Sequence, residues 1–215
     1  MPGSPREPQF AEPRCISLTL IRHGEQERSG QDGCLTTRGV RQVEAVARAI
    51  ALCDADVLVS SPRLRARQTA LALRPEPEIV DDLDEFRFGS DWTWEHADQR
   101  EDLALWRPEH RSGAESLAEF HRRVERAVEA LVERRSPGRL VLCVHSGVID
   151  VVLRWAFGIS PDTPWTTEAA VGHASITELL HWPAGRHVRG APRHTVLVRL
   201  GDVGHLPDEL ITGRL

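Results

Sequence analysis

The sequence predicts a three-layer α/β/α sandwich whose sheet is mostly parallel with an antiparallel edge. Three short β-branched or Leu-rich runs, Ile16–Ile21, Val57–Val59 and Leu140–Val144, each stop at small or polar residues and give way to a helical pattern. That βα alternation belongs to a parallel sheet covered on both faces. Two further apolar runs, Ser175–Trp182 and Thr195–Leu200, are separated only by a Gly/Pro-containing loop. Such close neighbours pair antiparallel, which puts them at the sheet edge.

Met1 to Arg14 carries Pro2, Pro5, Pro8 and Pro13 without an apolar run, and reads as a disordered leader rather than a signal peptide. Residues 15–215 then read as a single domain. Strand one covers Cys15 to Arg22. Thr36 caps a helix reaching Leu52, with Val40, Val43, Val46 or Ala47, and Ile50 on one face. After the strand Val57–Ser60, Pro62 stands in the first turn of the next helix, where its missing N–H costs nothing. This helix ends near Leu73, ahead of Pro75 and Pro77, and a brief strand at Ile79-Val80 leads into Asp81–Phe86.

Residues 89–113 are irregular and hold Trp92, Trp94 and Trp106. A stretch of that kind within an α/β domain reads as a lid insertion, whose tryptophans either pack on the domain or hold an apolar leaving group. The clearest helix is Ala114–Arg135, where Leu117, Phe120, Val124, Val128 and Leu131 repeat at helical spacing. Glu115, Glu119 and Glu125 interleave with Arg122, Arg123 and Arg126, a solvated face with ion-pair support. Strand Arg139–Val144 follows Pro137-Gly138, and Val148–Phe157 is apolar enough for a buried helix.

The chain has 215 residues, 40% of them hydrophobic and 27% charged, with a formal net charge of −5. These are values of a soluble globular protein of cytoplasmic type with no nucleic-acid or membrane surface. All 27 basic residues are arginine. Without lysine the chain has no Walker A lysine, no kinase strand lysine and no Schiff-base lysine. Cys15, Cys34, Cys53 and Cys143 form no CxxC pair and no zinc spacing, and read as free thiols.

The chemistry concentrates where the strands end. Ligands bind at the carboxyl ends of strands in open α/β sheets, and two of these ends deliver a histidine, His23 and His145. Arg22 stands beside the first, and Arg65 follows the strand that ends at Ser60. This is an anion site with a nucleophile inside it. The spacing of His173, His181, His187 and His194 fits no compact metal-ligand set. Arg63 and Arg67, like Arg87, Arg100, Arg107 and Arg111, read as solvated.

The blocks Leu20-Ile21-Arg22-His23-Gly24-Glu25, Leu35-Thr36-x-x-Gly39-x-x-Gln42, Ser60-Ser61-Pro62-x-Leu64-Arg65-Ala66-x-Gln68-Thr69-Ala70, Leu83-Asp84-Glu85, Glu115-Ser116, His145-Ser146-Gly147-Val148-Ile149 and Gly204-His205-Leu206 follow one another between about residues 16 and 206. In these blocks and their order the chain resembles the histidine phosphatase superfamily, the group containing cofactor-dependent phosphoglycerate mutases and many small phosphatases. The resemblance implies that His23 is the transiently phosphorylated nucleophile. It places Arg22, Arg65 and His145 around the phosphoryl group and makes Glu85 the proton donor, with Asp84 as the fallback.

Guanidinium groups suit this role because they stay charged and bind two oxygens at once. His23 must be neutral to attack, with its other ring nitrogen donating to an acceptor that fixes the tautomer. His145 then serves as a cation or donor, and the backbone N–H groups of Gly24 and Ser146 add donors. Gln26 and Ser29 stand where the family usually has a Thr or Ser and an Asn that help bind phosphate. No metal or cofactor is expected.

The expected activity is hydrolysis of a small-molecule phosphate monoester through phosphohistidine, with a small phosphorylated substrate as partner. The insertion after the acid is short and lacks the basic pattern of the mutases, which favours water as acceptor. The alternatives are a phosphoglycerate-type phosphomutase and an inactive phosphate-recognition module. Oligomeric state stays open, a homodimer included.

Overall fold

The computed structural model describes residues 15–29, 32–89, 113–134, 138–183 and 193–213. The expected leader, 1–14, and nearly all of the expected lid, including Trp92, Trp94 and Trp106, lie outside these residues, as do Arg100, Arg107, Arg111 and His187.

In chain order the elements are β1 (Ile16–Arg22), α1 (Thr37–Ala49), β2 (Val57–Ser60), α2 (Leu64–Leu73), β3 (Glu78–Ile79), a 3₁₀ turn at Asp81–Leu83, α3 (Leu117–Glu133), β4 (Gly138–Val144), α4 (Ser146–Ala156), β5 (Ile176–Trp182), β6 (His194–Asp202) and a 3₁₀ turn at Asp208–Leu210. The six strands form one sheet in the order β3-β2-β4-β1-β5-β6. β1, β2, β3 and β4 run parallel, while β5 pairs antiparallel with both β1 and β6. The predicted architecture and its antiparallel edge are present.

Strand alternation divides the core between the two faces of the sheet. Leu18 and Leu20 of β1 with Leu140, Leu142 and Val144 of β4 meet Phe120, Val124, Val128 and Leu131 of α3 and Val148, Val151, Val152 and Trp155 of α4. The intervening residues Ile21, Val141 and Cys143 face Ala45, Val46 and Ile50, from α1 and its C-cap, and Ala70 of α2. Each fully buried Leu, Ile or Phe in these layers contributes ~1.5–3 kcal/mol. All four cysteines are free thiols, and Cys143 is buried among aliphatic side chains.

Several boundaries shift for local reasons. Thr36 caps α1 as predicted, its hydroxyl accepting from Gly39 N–H at 2.9 Å, but the helix stops at Ala49 with Ile50 as its C-cap. Val40 is 44% exposed because the inward face runs through Gly39, Gln42, Val43 and Val46. α2 starts at Leu64, two residues after Pro62, and the Asp32 carboxylate accepts from Leu64 N–H at 2.8 Å. α3 begins at Leu117 under a capping box between Ser116 and Glu119. α4 begins at Ser146, directly after the histidine that follows β4.

Candidate active site

β1 and β4 are adjacent, parallel and in register to their last residues, Arg22 opposite Val144. His23 N–H continues the ladder to Val144 O at 2.9 Å, so His23 and His145 stand side by side one residue beyond the pair. Their rings lie edge to face with centroids 5.1 Å apart. Both histidines are buried. A cleft of about 830 Å³ opens here, with Arg22, His23, Gln26, Arg65, Glu85 and Ser146 among the residues on its wall.

His23 is held in one tautomer. Nδ1 lies 2.8 Å from Gly24 O, and a carbonyl only accepts, so Nδ1 carries the proton. Nε2 therefore presents its lone pair, and Arg65 Nε–H donates to it at 3.1 Å. Burial, reinforced by Arg65, His145 and Arg22, holds the His23 pKa well below its ordinary value, which keeps the ring neutral at pH 7.

Arg22 stays cationic, its pKa brought down to about 10 mainly by burial. Its Nη1 donates to Val171 O at 2.5 Å and to Gly213 O at 3.1 Å.

Glu85 follows the 3₁₀ turn, and its carboxylate accepts from Phe86 N–H at 3.0 Å and from Gly147 N–H at 3.3 Å. Burial outweighs these bonds and the Arg65 and Arg22 charges, and raises its pKa. A Cβ at residue 147 would lie 2.5 Å from Glu85 Oε1, so glycine is what lets the acid reach the start of α4. Asp84, the fallback acid, is instead bound by Arg63, whose Nε and Nη2 donate at 2.5 and 3.1 Å. Arg63 thus lines the cleft rather than a solvated helix face.

Of the two roles expected of His145, cation or donor, its surroundings favour the neutral donor. Its Nε2 pairs with Ser61 Oγ at 2.7 Å. Burial and the charges of Arg65, Arg63, Arg22 and Arg123 hold its pKa well below the ordinary value. A neutral imidazole still carries one N–H, and Nδ1 is buried with no partner among the described residues.

Two expected phosphate contacts do not reach the cleft. The Gly24 N–H is spent on Thr69 Oγ1 at 3.2 Å, deep against α2, and Ser29 sits in an exposed bend off the wall. Gln26 does line the cleft, with its Oε1 buried and unpartnered among the described residues.

Three further side chains contribute that no local sequence pattern marks as part of the site. Ser61 touches His145. Arg123, read as solvated, is 6% exposed. It donates to the carbonyls of Asp82, Asp84 and Glu85 at 2.9, 3.0 and 3.3 Å while pairing with both oxygens of Glu115. His173 lines the cleft with its ring centroid 5.7 Å from that of His23. Among the described residues no group of three or more His, Cys, Asp or Glu is placed to hold a metal ion.

The chain belongs to the histidine phosphatase superfamily, whose branch 1 model matches residues 18–191. Among solved structures it is similar to the protein TTHB049 of Thermus thermophilus, with 31% identity over 86% of this chain and 98% of that one and a TM-score of 0.59. It is also similar in fold to the mycobacterial glucosyl-3-phosphoglycerate phosphatase, with 24% identity over 78% and 91% of the two chains and a TM-score of 0.63. A third similar fold is the phosphoserine phosphatase of Entamoeba histolytica, with 22% identity over 89% and 100% and a TM-score of 0.65. No curated protein matches this chain in sequence. No helix among the described residues is long and apolar enough to cross a membrane.

Proposed function

We propose that the protein is a phosphatase that hydrolyses a small phosphate monoester through a phosphohistidine on His23. The observation that carries this reading is the ring of His23: neutral, fixed by Gly24 O through Nδ1, and presenting the Nε2 lone pair to a buried arginine. In the first step Nε2 attacks phosphorus, and the Arg65 N–H that it releases moves to a phosphoryl oxygen. The P–O bond to the leaving group breaks, and Glu85, whose burial raises its pKa and so favours the protonated form, gives its proton to the departing oxygen. In the second step water attacks the phosphohistidine, Glu85 carboxylate takes a proton from it, and inorganic phosphate leaves with His23 restored. Most of the acceleration in such a transfer comes from positioning and charge stabilisation, the task of Arg22, Arg65 and the His145 N–H, with Gln26 and the Ser146 N–H as additional donors.

Phe86 and Phe88, packed edge to face with centroids 5.0 Å apart, both line the cleft and give the leaving group an apolar wall. The cleft's volume far exceeds that of a phosphate ion, which fits a small organic ester.

The test is inorganic phosphate released from a panel of phosphate monoesters by the native protein and by His23→Ala. Release that vanishes in the variant, with an acid-labile phosphoenzyme trapped only in the native protein, supports the reading. A folded native protein that binds orthovanadate yet releases phosphate from no ester overturns it, leaving a mutase or a recognition module.

A further inference from the structure

We propose that His173 is a positioning residue for Arg22, a neutral hydrogen-bond acceptor anchored by the C-terminal segment that fixes which edge of the guanidinium faces the phosphoryl group. This rests on the reading of Arg22 as a phosphoryl ligand. Arg22 Nη2 lies 3.2 Å from His173 Nε2. A guanidinium only donates, so Nε2 must be the unprotonated nitrogen and Nδ1 carries the hydrogen. Nδ1 in turn lies 3.0 Å from Thr212 Oγ1 and donates to it.

The anchoring continues one residue further. Thr212 Oγ1 also accepts from Gln42 Nε2 at 2.8 Å, and the same nitrogen donates to Leu210 O at 2.7 Å. Gln42 is fully buried on α1, and its Oε1 accepts from Glu25 N–H at 2.7 Å, two residues after His23. The backbone adds His173 N–H to Thr212 O at 2.9 Å. A chain of hydrogen bonds therefore runs from α1 through Thr212 and His173 to Arg22.

The count of donors shows what this achieves. Arg22 has five N–H groups. Val171 O and Gly213 O take two from Nη1 and His173 takes one from Nη2. What remains is Nε–H, buried without a partner among the described residues, and one N–H of Nη2. Those two donors are what a bidentate contact to phosphoryl oxygens requires. Protonated, His173 would lose its acceptor and set a second cation against Arg22. Burial and the charges of Arg22 and Arg65 bring its pKa down to about 3, so it stays an acceptor across the physiological range. The C-terminal chain also closes on this pair without slack. Gly213 has φ +72°, and a Cβ there would lie 2.6 Å from His173 Nδ1 and 3.1 Å from Arg22 Nη1.

The experiment compares native protein with His173→Leu, which fills similar space without an acceptor, with His173→Gln, whose amide oxygen reaches toward the Nε2 position, and with Thr212→Val, which cuts only the anchor. Each is assayed for the orthovanadate dissociation constant, for kcat and KM on para-nitrophenyl phosphate, and for Tm. For His173→Leu we expect vanadate binding about tenfold weaker and kcat/KM lower by about ten- to a hundredfold, the range of a hydrogen bond to a charged group. His173→Gln should recover a large part of both losses, and Thr212→Val should fall between native and His173→Leu.

His173→Leu with native vanadate affinity and turnover, and only a lower Tm, overturns the proposal. So does a His173→Gln no better than His173→Leu. If His173→Leu does not fold, a Thr212→Val protein that folds with native vanadate affinity is equally decisive against it. Native protein that binds vanadate but hydrolyses no ester refutes the phosphatase reading alone, and the vanadate series still decides for His173. Native protein that binds no vanadate overturns this inference.

Discussion

Replacing Arg123 with methionine separates stability from acid placement. The guanidinium makes five hydrogen bonds, three to the carbonyls of Asp82, Asp84 and Glu85 and two to the Glu115 carboxylate. The pair is almost dry, with side-chain exposures of 7% and 11%. Removing one partner leaves a buried carboxylate without a counter-charge, a loss of about 3–5 kcal/mol. For a domain of this size that lowers Tm by about 10 °C, at roughly 2–4 °C per kcal/mol. The second loss is catalytic, because the three carbonyls bracket the acid. A displacement of ~1 Å there costs about a hundredfold in rate.

The double variant Arg123→Met with Glu115→Met tells the two effects apart. Apolar replacement of a whole buried ion pair is often neutral, so Tm should return close to the native value. The carbonyls stay unclamped, so phosphate release should stay low. Thermal denaturation and para-nitrophenyl phosphate turnover on the three proteins give the answer. An Arg123→Met protein melting within about 2 °C of native with full turnover would refute the reasoning. So would a double variant whose activity recovers together with its Tm.

Two further outcomes follow from titration. In the proposed mechanism Glu85 acts first as an acid, and its pKa is raised by burial, so the rate should fall as pH climbs through that raised value and the acid loses its proton. Glu85→Gln should lower kcat by ~10²–10⁴-fold and abolish this alkaline limb; a limb of unchanged position in a residually active variant would assign it elsewhere. Asp150 is raised from 3.8 to about 7, chiefly by burial, while its Oδ1 accepts from Ala169 N–H at 2.8 Å. The folded state then binds more protons than the unfolded chain between those values, so its contribution is complete below about pH 4 and is lost as pH rises through 7. Asp150→Asn keeps an acceptor without the charge, so Tm scans should show it gaining on native protein between about pH 4 and pH 7 and holding that gain above. A Tm difference that does not move with pH would count against this.

What the sequence disclosed follows from how far each signal travels along the chain. Strand ends and the alternation of β1 and β4 are local patterns of a few residues, and they put His23, His145, Arg22 and Arg65 at one end of the sheet, whereas Glu85 enters only through the resemblance carried by Leu83-Asp84-Glu85. Arg123 carries two conflicting local signals. It stands three residues after Phe120 and four before Ala127, on the apolar stripe of α3, but the alternation of Glu and Arg around it resembles a solvated face. Val40 is the converse case, an apolar residue on the fringe of a face whose centre passes through Gly39 and Val43. In the sequence His173 is one of several C-terminal histidines, whose spacing speaks only to metal ligation. Its partner Arg22 is 151 residues away, and no spacing rule spans that distance. Asp84 and Glu85 were adjacent candidates, and only the approach of Arg63 to one and of the α4 N-terminus to the other separates them.

The rung that joins Arg22 to Val144 has a consequence for how this protein can fail. Neighbouring strands offer their side chains to alternate faces, so a slip of one residue between β1 and β4 would turn one histidine away from the other and exchange the two halves of the core at once. The chemistry is therefore written into the alignment of the two central strands, and a chain misaligned by one residue cannot retain the histidine pair. Catalytic competence in a refolding chain would then arrive with the closing of the central ladder, making turnover a reporter on strand alignment as much as on chemistry.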